Sequence, residues 1–144
     1  MSMSGTVGGD IVAVNALTVL LHKDYVAGSV QLLNGGGGVN CDARDVLFGG
    51  PAYAVIEDSH IGGDVLVSGM KTCWLGVLRN RVAGSVQFFG NETADPDGNE
   101  IVTNTINGDL NCYSNSPAPQ VGDSEGDPNV VRHRAKWQCA GLAQ

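Results

Sequence analysis

Asp10, Asp64 and Asp109 hold one recurring place in the chain, each directly after a glycine and directly before an aliphatic residue. Carboxylates repeated on an outer face suit a protein that binds or cleaves polysaccharide, where a pair serves as acid and as base or nucleophile. Ser29 and Ser85 fill the same place in two further copies, Gly28-Ser29-Val30 and Gly84-Ser85-Val86. Like charges on adjacent copies repel, and alternation with serine relieves that. The pattern therefore favours a structural ladder over a catalytic set.

Asp95-Pro-Asp-Gly-Asn-Glu100 gathers the oxygen donors of Asp95, Asp97, Asn99 and Glu100, a candidate Ca²⁺ turn. The full Ca²⁺-loop signature is absent, so a solvated acidic loop is the preferred reading and no metal is expected. Asp123, Glu125 and Asp127 invite the same reading. His22, His60 and His133 fall at non-matching places and read as solvent-facing. Asn91-Glu-Thr93 is a glycosylation sequon. Tyr25, Tyr53, Trp74, Phe88, Phe89, Tyr113 and Trp137 form no spaced stripe and read mostly as core or cap. No nucleophile elbow, metalloprotease helix, phosphate loop or dinucleotide fingerprint is present, so no catalytic residue and no cofactor are expected.

The elements that carry these residues repeat. Val77 to Phe88 follows a template of apolar residue, two free positions, Asn/Asp/Ser, a free position, apolar, free, Gly, Asp/Ser, apolar, free, apolar. Leu21–Leu32, Ile56–Val67 and Ile101–Cys112 repeat it, and Val7–Ala13 is a partial copy. Their central glycines, Gly9, Gly28, Gly63, Gly84 and Gly108, lie 19, 35, 21 and 24 residues apart. Such intervals suit one turn of a parallel β-solenoid. The 28–63 interval is either one coil with an insertion or two short ones, the second marked by the degenerate copy Leu47–Tyr53.

Period-two alternation from Val82 to Phe88 puts Val82, Gly84, Val86 and Phe88 on one face. Stacked copies make two inward columns, Val7/Val26/Ile61/Val82/Ile106 and Ile11/Val30/Val65/Val86/Leu110. Outward lies the Asp/Ser ladder, then Val12/Gln31/Leu66/Gln87/Asn111, where apolar Val12 and Leu66 hint at a contact surface. Asp24, Ser59, Asn80 and Asn104 precede each strand and can ladder through backbone bonds. Loops are expected at 34–38, 91–100 and 114–128.

The chain carries 8 Lys and Arg against 15 Asp and Glu, a net charge of -7. Nucleic acid, which is gripped through cations, is disfavoured. No apolar run is long enough to span a membrane. The start shows no signal peptide, and the apolar residues Ile11, Ala13, Leu17 and Val19 begin without a cap; a truncated or processed chain, or one docked there on a partner, is expected. The 4 cysteines form no Cys-x-x-Cys pair. Two disulfides, Cys112–Cys139 and Cys41–Cys73, suit an oxidising compartment, with free buried thiols the alternative. Trp137 is a candidate lid on a worn final coil, Asn129–Cys139.

Asn104-Thr-Ile-Asn-Gly-Asp-Leu-Asn-Cys112, Asn115-Ser-Pro-Ala-Pro and the closing Gln138-Cys-Ala-Gly-Leu142 resemble a group of secreted actinobacterial β-helix-like proteins. These carry Asn-Thr-Val-x-Gly-Asn-Leu-x-Cys repeats and end similarly. The likeness covers residues 77–142 well and the first half loosely; His133 and Arg134 depart from it, where such copies carry Gly and Asn. It implies an extracellular setting, a C-terminal disulfide and no assigned activity.

The expectation is an all-β chain forming one domain, 1–144: a right-handed parallel β-solenoid (β-helix) of about five or six irregular coils over 1–112, with 113–144 as loop and disulfide-tied C-terminal capping coil. Its expected function is that of a secreted or cell-surface, non-catalytic scaffold or adhesion module that binds protein or polysaccharide and could form homo-oligomers. The candidate contacts are Asp10, Asp64, Asp109, Val12 and Leu66. Alternatives are a polysaccharide-binding or -cleaving domain using the Asp ladder, and a subunit of a filament or shell.

Overall fold

The computed structural model describes residues 1–45, 49–122 and 126–144. All of its regular structure is strand, and no helix among the described residues is long and apolar enough to cross a membrane. The chain visits three parallel sheets in the same order, pass after pass. The first pass supplies β1 (Ser2–Met3), β2 (Thr6–Val7) and β3 (Ile11–Ala16). The second supplies β4 (Val19–His22), β5 (Tyr25–Val26) and β6 (Val30–Gly35). An excursion follows, with the short antiparallel pair β7 (Arg44–Asp45) and β8 (Gly50–Pro51). The third pass is β9 (Tyr53–Glu57), β10 (His60–Ile61) and β11 (Val65–Thr72). The fourth is β12 (Trp74–Leu78), β13 (Arg81–Val82), β14 (Val86–Phe89) and β15 (Glu92–Thr93). The fifth is β16 (Glu100–Val102), β17 (Thr105–Ile106) and β18 (Leu110–Tyr113), and β19 (Val130–Val131) and β20 (Ala135–Trp137) complete the sixth.

The sheets are five-stranded (β1-β4-β9-β12-β16), six-stranded (β2-β5-β10-β13-β17-β19) and seven-stranded (β3-β6-β11-β14-β18-β20, with β15 also on β11). β5 pairs directly with β10 and β6 with β11, so 28–63 is one pass with an insertion. Leu47 and Phe48 of the degenerate copy lie outside the described residues.

Parity decides the core. Val26, Ile61, Val82 and Ile106 of the six-stranded sheet point inward beside Ile11, Val30, Val65, Val86 and Leu110 of the seven-stranded one, all buried. Leu21, Ile56, Val77 and Ile101, the first residue of each template copy, stack in register on the third sheet. Together they form one apolar cluster, each large aliphatic contributing about 1.5–3 kcal/mol.

The expected single strand through each central glycine is corrected: β13 ends at Val82 and β14 begins at Val86, in different sheets. The glycine is the corner between them. A Cβ on Gly84 would strike the Asp64 carboxylate and sit 2.8 Å from the Gly63 carbonyl. Gly28, Gly63 and Gly108 face the same obstruction from the preceding pass.

Trp137 does not cap the stack. It lies on the outer side, 64% exposed, with a left-handed φ of 56°. Leu142 packs against the cluster instead, beside the buried Cys112–Cys139 disulfide. Cys41 is bonded to Cys73.

Candidate functional site

The repeated polar residues reach their places through the corners between sheets. At the glycine corner, Asp10 Oδ1 accepts the Ser29 backbone N–H at 2.7 Å, Ser29 Oγ accepts that of Asp64 at 2.9 Å, and Asp64 Oδ1 accepts that of Ser85 at 2.8 Å. Ser85 Oγ then accepts from Asp109 at 3.0 Å, and Asp109 Oδ1 from Arg134 at 3.0 Å. The Arg134 N–H, with Lys136, holds the Asp109 carboxyl below the usual range. These carboxylates bond to the main chain of the next pass instead of converging on a cleft. Asp10, Ser29, Asp64, Ser85 and Asp109 thus form a backbone ladder.

The second corner is buried. Asn80 Oδ1 accepts the Ser59 N–H at 3.0 Å, Asn104 Oδ1 that of Asn80 at 2.9 Å, and Asn129 Oδ1 that of Asn104 at 3.0 Å. Each amide also donates backwards, Asn80 to the Ile56 carbonyl at 2.8 Å and Asn104 to that of Val77 at 2.8 Å. Asp24 heads this file, only 3% exposed. Burial pushes its carboxyl above the ordinary range, against the pull of the Gly5 and His22 backbone and the His22 ring.

A raised folded-state pKa favours folding fully below the ordinary value of 3.8 and loses that contribution as pH rises through the folded value. Asp24→Asn restores an amide like that of Asn80 and removes the buried charge. It should stabilise the protein by about 1 kcal/mol at neutral pH and by less near pH 4. Urea midpoints at both pH values check this; an equal gain at both would show that Asp24 does not titrate in that window.

Just outside this corner lies a cluster of charged residues. His22 Nδ1 is 3.0 Å from Glu57 Oε1 and 3.8 Å from Asp58 Oδ2. Arg79 binds Asp58 through Nε at 2.8 Å and Nη2 at 3.0 Å, and reaches Glu57 at 3.3 Å. The bidentate Arg79 contact holds the Asp58 carboxyl below its usual range, with burial opposing. Register brings His22 beside Asp58, because His22 pairs with Glu57. Among the described residues, only His22, Glu57 and Asp58 place three such donor atoms within 4.8 Å of one another. A cation there would compete with Arg79 for the same two carboxylates.

The 95–100 turn holds its donors in different settings. Asp95 Oδ1 accepts its own loop's Asp97 N–H at 2.9 Å, while Asp97 is exposed and Asn99 and Glu100 are buried. The sequon asparagine is also spoken for. Asn91 is fully buried and donates to the Val67 carbonyl at 3.0 Å and Asn115 Oδ1 at 3.1 Å. It belongs to a third ladder, Asn91/Asn115/Gln138, which sequence reading missed. The signal was available: Asn91 and Asn115 each lie seven residues beyond a corner glycine.

On the seven-stranded sheet the outward residues are Val12, Gln31, Leu66, Gln87, Asn111 and Lys136 in one column and Val14, Leu33, Ser68, Phe89 and Tyr113 in the next. Val12 and Val14 are 55% and 56% exposed, and Leu66 is half-buried. Phe89 and Tyr113 stack at 4.8 Å, with Trp137 edge-on to Tyr113 at 5.5 Å. The expectation that the aromatics form no stripe is corrected for these three, which neighbouring passes bring together. What the fold and these surfaces define is an all-β repeat protein with polar corners bonded to its own backbone and an outer wall that brings Phe89, Tyr113 and Trp137 together. Compared with protein-family models, curated proteins and solved structures, the chain matches none.

Proposed function

We propose that the three sheets are the walls of one right-handed parallel β-solenoid of six irregular coils with a disulfide-tied C-terminal cap, serving as a non-catalytic, extracellular scaffold that associates with itself. The cyclic strand order supports the solenoid, and the strong bias of β-crossover-β connections supports its hand. The two disulfides support an oxidising setting. The ladder carboxylates, engaged by backbone N–H groups, support a structural over a catalytic role.

One observation carries the self-association. Of the eleven residues in these two outward columns, Lys136 alone is charged, and it is paired with Asp109 at 3.3 Å; beyond the columns, at the far end of β11, exposed Lys71 lies 4.0 Å from Glu92 of β15. Val12, Val14, Leu33, Leu66, Phe89 and Tyr113 make up the rest of its apolar surface. Charge depletion with aromatic enrichment is the composition of an interface core, and two such walls can pack face to face about a twofold axis.

Sedimentation velocity over a range of concentrations tests this. The protein should sediment as a dimer or larger, in reductant as without it, and Val14→Glu with Phe89→Glu should yield a folded monomer. A wild-type chain that stays monomeric at every concentration overturns the proposal.

A further inference from the structure

The outer wall of the six-stranded sheet carries a different chemistry. Its first outward column reads Thr6, Tyr25, His60, Arg81, Thr105 and Val130 on successive strands. Two residues further on, Ala27, Gly62 and Ala83 offer almost no side chain, and Asn107 and Arg132 close the far end. Between the tall column and the low one runs a groove of about 340 Å³. Tyr25, 59% exposed, lies with its ring stacked on His60 at 5.8 Å. None of the residues lining the groove is acidic, in a chain where acids outnumber bases 15 to 8. Arg79, Lys71 and Lys136 are spent in ion pairs, whereas Arg81 and Arg132 form none among the described residues.

We propose that this groove binds an acidic polysaccharide, a uronate-bearing chain laid along the stack of passes. Each guanidinium presents the planar fork that fits a carboxylate. Arg81 and Arg132 stand two strands apart, roughly 10 Å along the stack at the spacing of neighbouring strands, with Arg132 two residues further across the groove. A chain with one carboxylate per sugar, alternating from side to side, presents every second one at that kind of interval. The exposed Tyr25 ring offers a face for a sugar ring, and Thr105 and Asn107 offer partners for hydroxyls. The overall negative charge does not forbid this: at physiological salt, charges more than about 8 Å away are largely screened, and of the nearer carboxylates Asp58 is paired with Arg79, Asp109 with Lys136, and Asp64 accepts the Ser85 N–H. Nucleic acid fits less well, because its grip depends on many phosphate contacts and this groove has two arginines.

The inference does not depend on self-association, which uses another wall. The test is affinity electrophoresis and calorimetry with polygalacturonate as probe, dextran as the neutral glycan and oligo-dT as the nucleic acid. The protein should bind polygalacturonate, more weakly as salt rises, and ignore dextran. Arg81→Ala with Arg132→Ala should weaken binding at least tenfold with unchanged thermal stability, since both side chains are exposed. Arg44→Gln, outside the groove, should leave it unaltered. The Val14→Glu, Phe89→Glu variant should bind as wild type does. No binding to polygalacturonate at low salt, equal binding to dextran, tighter binding to oligo-dT, or full affinity in the double-alanine variant would each overturn the proposal.

Discussion

Asn104→Leu should remove about 3–5 kcal/mol of stability, read as a fall in the urea unfolding midpoint. Asn104 Oδ1 accepts both the backbone N–H of Asn80 at 2.9 Å and its side-chain amide at 3.1 Å, and Asn104 Nδ2 donates to Val77 at 2.8 Å and Asn129 Oδ1 at 2.9 Å. Leucine has nearly the same shape, so little volume is lost. Two donors on Asn80 and one carbonyl on Val77 are nevertheless left dry, and each orphaned buried group costs about 1–3 kcal/mol. Asn107→Ala, three residues away but exposed, should cost almost nothing. A loss below about 1 kcal/mol for Asn104→Leu would mean that water replaces the ladder bonds and that the file is not what fixes this corner.

Removing the Cys112–Cys139 disulfide by double alanine substitution should cost about 3.5 kcal/mol from loop-closure entropy alone, for a sequence separation of 27. Both sulfurs are fully buried within the apolar cluster, so a cavity cost adds to this. The Cys41–Cys73 bridge closes a comparable span of 32, but Cys41 is only half-buried and neither residue is part of the cluster. Its removal should therefore cost less. Paired thermal melts of the two variants settle the ordering. Equal losses would show that chain entropy is the whole effect, and a negligible loss for Cys112–Cys139 would show that the stack holds its last pass without help.

Much of the interior was legible because period-two parity survives the glycine corner; at the asparagine corner it slips by one, so that Val77 and Val82, five residues apart, both face the core. Val82 and Val86 point into the same core although they belong to different sheets, so the columns read from one continuous strand were the right columns for an incomplete reason. The Asp/Ser alternation was likewise readable as a ladder, since both side chains offer an oxygen that can accept a backbone N–H. What escaped was anything set by register between passes. That Asp58 meets His22 and Arg79 depends on which residue follows which around a corner, and local pattern carries no such information. The same holds for Phe89 meeting Tyr113, and for β5 skipping the insertion to join β10. Buried Asn91 looked like a surface sequon because burial of a polar residue is only visible once its partners, Val67 and Asn115, are in place.

The distance between the buried asparagine-type corner and the glycine corner never changes: Asp24 to Gly28, Ser59 to Gly63, Asn80 to Gly84 and Asn104 to Gly108 are all the same step. All of the variation in pass length falls elsewhere, in the stretches that leave the seven-stranded sheet and return to the five-stranded one. The molecule thus behaves like a book with two stitched edges and one loose one. Foreign segments grafted at the loose edge would inherit a rigid, evenly spaced mount. A single residue added at either stitched edge would throw every later page out of line.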